Sequence, residues 1–279
     1  MLVENYFLVV LAFVWIIVAV IQDFRKREIA NWWNFSLIAI ALCYRALISV
    51  WFLDYWCFVY GLIGFGIFFA LANLFYYGRV FAGGDAKLLM GLGAVLPFSS
   101  SLFENLEIFL YFIVLLLFAG SIYGLFYSFV LAYKHKKEFS EEFSKQYNRN
   151  KKLFQVFTFL TILSLVLILI LREFIFSLFS LVIFIFPFLY IYAKAIEEAC
   201  MIKEASAGKL TIGDWLYKEV RVGKKIIKPS WEGLNEEELM VLQKTKRKIR
   251  VKEGIPFTPA FLIALLVLVW VLEKGFSVF

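Results

Sequence analysis

Asp23 and Asp85 are the two residues of this sequence whose type and placement point to chemistry. Each stands at the edge of a long apolar run, Asp23 directly after the first and Asp85 just before the fourth. Ionisable side chains at that depth are costly to keep beside lipid, which makes them functional candidates first. A pair of carboxylates is the least equipment that metal-free hydrolysis of a peptide requires. Two like charges in contact do not both ionise easily, so such a pair holds one proton between its members. The ionised member acts as base toward water, and the protonated member polarises the scissile carbonyl. The pair titrates as a unit, and residue types alone do not assign the proton.

The neighbours of Asp85 suit a substrate site. Gly83 and Gly84 remove side chains where a substrate backbone has to approach. Lys87 reads as an interfacial lysine lying along apolar surface, or as a charge that tunes the pair. Gly91, Gly93 and Ala94, with Gly61, Gly64 and Gly66 on the preceding run, suit close helix contact. Plainer roles exist for several of these residues. An aspartate at a helix boundary often serves as a cap, and Gly-Gly-Asp alone is a common turn. Arg45, deep in the second apolar run, calls for a structural partner, for which Asp54 or lipid headgroups are at hand. Asp214, in Gly213-Asp214-Trp215, reads as a turn residue rather than a third catalytic acid.

What must position the carboxylates is a set of membrane-crossing helices. The chain is 62% hydrophobic and only 18% charged over 279 residues, too apolar for a soluble globular chain. Several runs reach the roughly 20 apolar residues that a helix needs to cross a bilayer. About eight crossings are expected, near 6–22, 33–53, 56–77, 88–103, 108–133, 153–171, 174–193 and 256–272. The fourth is interrupted by Pro97 and by Ser99 to Ser101, so it is short or bent. The segment before the first run carries Glu4 and no basic residue, which favours a retained helix over a cleaved secretory signal. The short alternating segments of a closed barrel are not seen.

Lysine and arginine collect in alternate loops: Arg25, Lys26 and Arg27; Arg79 and Lys87; the run 134–152; and the segment 194–255. By the positive-inside rule these loops face the cytoplasm. Of 29 basic residues, Arg45, Arg172 and Lys274 fall outside that set. Asp23 and Asp85 then share the cytoplasmic side, because two complete crossings separate them. The net charge of +7 is thus a topological signal, with attraction to anionic lipid second. No nucleic-acid partner is called for, since Glu138, Glu141 and Glu142 interrupt the basic run.

The expected organisation is an all-α polytopic membrane protein with a small cytoplasmic α+β subdomain. Residues 1–193 form the membrane core, with the chemistry-bearing motifs in 8–97; 194–255 form the subdomain; 256–279 hold the last helix and tail. Within 194–255, Val220–Ile227 alternates around Gly223-Lys224 like a hairpin, and Asn235 with Glu238 has the pattern of a capping box. Cys43, Cys57 and Cys200 are widely spaced and His135 is the single histidine, so neither a disulfide framework nor a zinc cage is expected. No cofactor and no metal are implied.

With both segments in view, the chain resembles the type IV prepilin peptidase and archaeal preflagellin peptidase family, membrane aspartic proteases that share a GxGD motif. Gly84-Asp85-Ala86-Lys87-Leu88-Leu89-Met90-Gly91-Leu92-Gly93-Ala94 resembles that family's second aspartate motif over its whole length. Asp23-Phe24-Arg25, with Ile29-Ala30-Asn31 following, resembles the first, where an aspartate and basic residues precede an Ile-Pro-Asn turn. Ala82 stands where the first glycine of GxGD is usual, and Ala30 where the proline is usual. The segment 209–264 is similar to the C-terminal region of archaeal members.

The resemblance implies an aspartic endopeptidase of the cell membrane with Asp23 and Asp85 as its catalytic pair. Its substrates would be preflagellin (archaellin) or type IV pilin-like precursors, cut just after a short basic leader at the cytoplasmic face. Without paired cysteines or a Gly-rich cofactor signature, protease activity alone is expected, not methylation. The sequence does not fix the oligomeric state. One alternative is an intramembrane protease of the presenilin or signal-peptide-peptidase kind, though its first motif is Tyr-Asp where this chain has Gln22-Asp23. Others are a proton- or cation-coupled transporter using the same carboxylates, and a non-enzymatic scaffold for pilus assembly.

Overall fold

The computed structural model describes residues 5–171, 175–223, 225–245 and 247–275, so Glu4, the Arg172-Glu173 loop and Lys224 of the expected hairpin lie outside the described residues. The chain packs as two compact units, Met1–Phe126 with Ile255–Phe279, and Tyr127–Gly254.

The first unit contains α1 (Asn5–Lys26), α2 (Asn31–Phe52), α3 (Trp56–Tyr77), α4 (Gly83–Val95), the part of α5 (Leu102–Lys134) up to Phe126, and α10 (Thr258–Glu273). The second contains the rest of α5, then α6 (Lys136–Arg149), α7 (Lys151–Leu171) and α8 (Ile175–Cys200), followed by the strands and α9 (Glu236–Gln243). Among the described residues, six helices are long and apolar enough to cross a membrane: α1, α2, α3, α5, α7 and α8. The protein is therefore a multi-pass membrane protein. The other two expected crossings are shorter. α10 has 16 residues, and α4 has 13, about 20 Å of helix at 1.5 Å per residue. α4 also starts earlier than expected and stops before Pro97, so Asp85 lies inside its first turn rather than ahead of it.

Apart from α4, each helix of the first unit buries one stripe. On α1, Leu8, Ala12, Ile16, Ala19 and Asp23 recur at helical spacing and all are buried. On α2 the buried residues are Asn34, Leu37, Ala41 and Arg45. α1 and α2 run antiparallel. Phe7 stacks on Tyr44 at 4.3 Å, and Trp15 on Trp33 at 4.5 Å. The two indoles also exchange hydrogen bonds, each donating to the other's backbone carbonyl at 3.0 Å. This pair is a staple between the two helices.

α4 is the most enclosed element, with nine of its 13 residues buried. Against α3 it packs backbone to backbone: a Cβ at Gly64 would fall on the Gly93 carbonyl oxygen, and one at Gly93 would stand 2.6 Å from the Gly64 carbonyl oxygen. Gly91 is likewise filled by Leu37, whereas Gly66, expected to serve contact, has open space around it.

α2 holds α4 at both ends. Asn34 Nδ2 donates to the Gly84 carbonyl at 3.2 Å. Eleven residues further on, Arg45 donates to the carbonyls of Ala94 (2.8 Å), Val95 (2.9 Å) and Pro97 (2.7 Å). The two helices run parallel, and eleven residues of α2 match the ten from Gly84 to Ala94 at about 1.5 Å each. Arg45 thus replaces the missing partners at the C-terminus of α4. The expected pairing with Asp54 or headgroups is not what the structure shows: Arg45 is buried, and Asp54 accepts from the Trp56 backbone N–H. Arg45 also donates to the Cys57 carbonyl and thiol.

In the second unit, β1 (Ile202–Ser206), β5 (Lys248–Lys252) and β2 (Trp215–Leu216) form an antiparallel sheet in the order β1-β5-β2. β3 (Val220–Val222) and β4 (Lys225–Ile227) pair as the expected hairpin, with Gly223 at φ +59°. α9 (Glu236–Gln243) opens with the full capping box: the Asn235 side chain accepts from Glu238 N–H, and Glu238 accepts from Asn235 N–H. Leu210, Leu216, Ile227, Leu234, Leu242, Ile249 and Val251 make the small core beneath these elements.

Candidate active site

Asp23 continues the buried stripe of α1 into its last turn and is itself only 8% exposed. The Arg27 N–H donates to the Asp23 carbonyl at 2.9 Å, and Arg27, at φ 58°, ends the helix in the left-handed region. The carboxylate does not cap its own helix. Its Oδ2 accepts from the Thr258 backbone N–H at 3.2 Å and from the Thr258 hydroxyl at 2.9 Å. Thr258 is the first residue of α10, and the position before it is Phe257, whose side chain has no oxygen to cap with. Asp23 supplies the missing cap from 235 residues away.

Asp85 is also 8% exposed and sits in the first turn of α4. It is close enough to Asp23 to feel its charge. Among the glycines before it, Gly84 is the tight one, since an added Cβ would meet Ile29 at 3.4 Å, while at Gly83 the nearest atom is a Tyr76 ring carbon at 3.7 Å. Lys87 Nζ donates to Asn31 Oδ1 at 2.7 Å, so the lysine of the second motif ties it to the asparagine of the first. The Asn34 bond to Gly84 adds a second tie between the two segments.

Both carboxylates sit at helix ends, and magnitudes separate the influences on them. A helix terminus contributes about 0.3–1 kcal/mol to a nearby charge. The start of α4 acts so on Asp85; on Asp23 the start of α10 is opposed by the C-terminus of α1. A hydrogen bond to a charged acceptor contributes about 1.5–3 kcal/mol. The two donors of Thr258 therefore outweigh the helix ends in shaping Asp23.

The two departures from the family pattern leave the backbone intact. Ala30 has φ −59° and ψ 130°, a conformation proline adopts readily, and its N–H, which proline lacks, donates to Gln22 Oε1 at 2.9 Å. Ala82 has φ −70° and ψ 161°, ordinary extended backbone that does not require glycine.

The stretch from α1 into α5 has known counterparts. Residues 10–129 match the type IV leader peptidase family. The resemblance carried by the Asp23 and Asp85 segments is borne out. Among curated proteins, the chain is 35% identical over 82 residues to a preflagellin peptidase of Methanococcus maripaludis and 33% identical over 82 residues to one of Methanocaldococcus jannaschii. Each match covers 29% of this chain and 35% of the relative, so the chain spans about a third of the length of the relatives it matches.

The structure thus brings together Asp23, Asp85, Gly84 and Lys87, and adds Thr258, Asn31 and Asn34, which residue type and spacing did not single out. Thr258 had one local signal, a Phe-Thr-Pro helix start without a capping side chain ahead of it. Asp214 Oδ2 accepts from the Thr211 N–H at 2.8 Å, the turn role expected of it.

Proposed function

We propose that this chain is a membrane aspartic endopeptidase that removes the short basic leader from preflagellin or type IV pilin-like precursors at the cytoplasmic membrane face. The observation that carries the reading is the pair of buried carboxylates, Asp23 and Asp85, contributed by two segments of the stretch that matches the leader peptidase family. The preflagellin peptidases among its relatives support the substrate class. The concentration of lysine and arginine in the loops beside both aspartates supports the cytoplasmic side.

In the proposed reaction, the ionised carboxylate takes a proton from water as the water oxygen bonds to the scissile carbonyl carbon. The protonated carboxyl gives its proton to the carbonyl oxygen, forming a neutral tetrahedral diol. Collapse of the diol returns a hydroxyl proton to a carboxylate and breaks the C–N bond, and the other carboxyl protonates the leaving amine. Gly83 and Gly84 keep side chains away from the substrate backbone at this point, and Lys87 with Asn31 fixes the turn ahead of α4.

The test is co-expression of the chain with a flagellin-type and a pilin-type precursor, with the products read by N-terminal sequencing. The reading predicts a single cut between the basic leader and the apolar helix of at least one precursor. Both precursors remaining full-length in membranes that contain the inserted protein would contradict it.

A further inference from the structure

Thr258 lies far outside both aspartate motifs, yet it makes the two hydrogen bonds that Asp23 receives from α10. It is fully buried, as are Ala260, Phe261, Ala264, Leu265 and Leu268 behind it, so the start of α10 is held against the core. Phe257 is packed between Phe81, at 5.2 Å between centroids, and Gly120, where an added Cβ would meet its ring. Pro259 fixes the backbone of the first turn. The donors therefore reach Asp23 from a rigid element and not from a loop.

We propose that Thr258 is a positioning residue that makes Asp23 the base of the pair and leaves the shared proton on Asp85. This deepens the proposed function and rests on the reading of Asp23 and Asp85 as the catalytic pair. Donors to a carboxylate favour its charged form. With Oδ2 engaged by the Thr258 hydroxyl and N–H, Oδ1 is the oxygen left to take the proton from water. Asp85 keeps its proton for the substrate carbonyl. α10 therefore belongs to the catalytic apparatus even though it begins 129 residues beyond the end of the family match at residue 129.

Thr258→Val removes the hydroxyl, keeps the β-branched shape and retains the backbone N–H. Thr258→Ser restores the hydroxyl. In a detergent cleavage assay, Thr258→Val is expected to lower kcat about 10- to 100-fold, the effect of one hydrogen bond to a charged acceptor, with KM changed less than about twofold. Thr258→Ser is expected to recover most of that loss, and both variants to remain fully folded at the assay temperature. Wild-type kcat in Thr258→Val would overturn the inference, and so would a Thr258→Ser variant as slow as Thr258→Val, or a loss that merely follows the folded fraction. Asp23→Asn is run beside them. If it cleaves normally, the catalytic pair itself falls; if it is inactive while Thr258→Val is normal, only the role of Thr258 falls.

Discussion

Replacing Arg45 by Met tests how α4, and with it Asp85, is held. Met keeps much of the stem that fills the space beside Gly61 but removes the guanidinium. Three carbonyls at the end of α4, those of Ala94, Val95 and Pro97, then lose their donor. A buried polar group left unsatisfied costs about 1–3 kcal/mol, which bounds the gross loss at roughly 3–9 kcal/mol. Against this, the buried guanidinium has no carboxylate partner among the described residues, and removing it returns a desolvation cost of up to several kcal/mol. Satisfying the carbonyls wins because Arg45 places separate N–H groups on them at 2.7–2.9 Å, and we expect a net loss of about 3 kcal/mol. At roughly 2–4 °C per kcal/mol for a chain of this size, the melting temperature in detergent should fall by about 6–12 °C. Lysine has no planar fork to span the three carbonyls, so Arg45→Lys should fall between. The assay is thermal unfolding followed by the helical circular dichroism signal. A melting temperature for Arg45→Met within about 2 °C of the wild type would refute the role given to the guanidinium.

Three further predictions concern other contacts. Gly64→Ala places a methyl on the Gly93 carbonyl oxygen, so α3 and α4 must separate, and a loss of about 1–3 kcal/mol is expected in the same unfolding assay. Asn235→Ala removes the side-chain half of the α9 capping box and should cost about 1 kcal/mol, read as faster amide exchange in the first turn of α9. The Tyr217 hydroxyl donates to Glu198 Oε2 at 2.5 Å, and this bond, with burial second, holds the phenol well above its ordinary value, up to about 12. Because the folded value lies above the unfolded value of about 10, the added stability is complete below pH 10 and is lost as pH rises through about 12. Unfolding midpoints of wild type and Tyr217→Phe should therefore differ by a constant amount at neutral pH and converge between those limits.

What could be read from the sequence follows the range of the interaction. The hairpin 220–227 and the Asn235 capping box depend on residues a few positions apart, and both form as their local patterns indicate. The stripe Leu8, Ala12, Ile16, Ala19 and Asp23 has helical period, which marks Asp23 as facing the core and not the membrane surface. The early stop of α4 follows from Pro97. Arg45 was recognisable as a buried cation in need of partners, but the partners are backbone carbonyls, which carry no residue identity and so no sequence signal. Thr258 meets Asp23 across 235 residues, and only the uncapped start of α10 hinted that a side chain from elsewhere must complete it.

In the proposed reaction Asp23 and Asp85 perform the hydrolysis together, so neither can be spared. Asp23→Asn and Asp85→Asn keep side-chain shape and an oxygen able to accept hydrogen bonds, so the cap on α10 survives while the acid and base are removed. The direct measurement is leader removal from a co-expressed precursor by each variant, alongside its amount in the membrane. Each single substitution is expected to abolish processing while the protein remains inserted at wild-type level. Normal processing by either variant would contradict it.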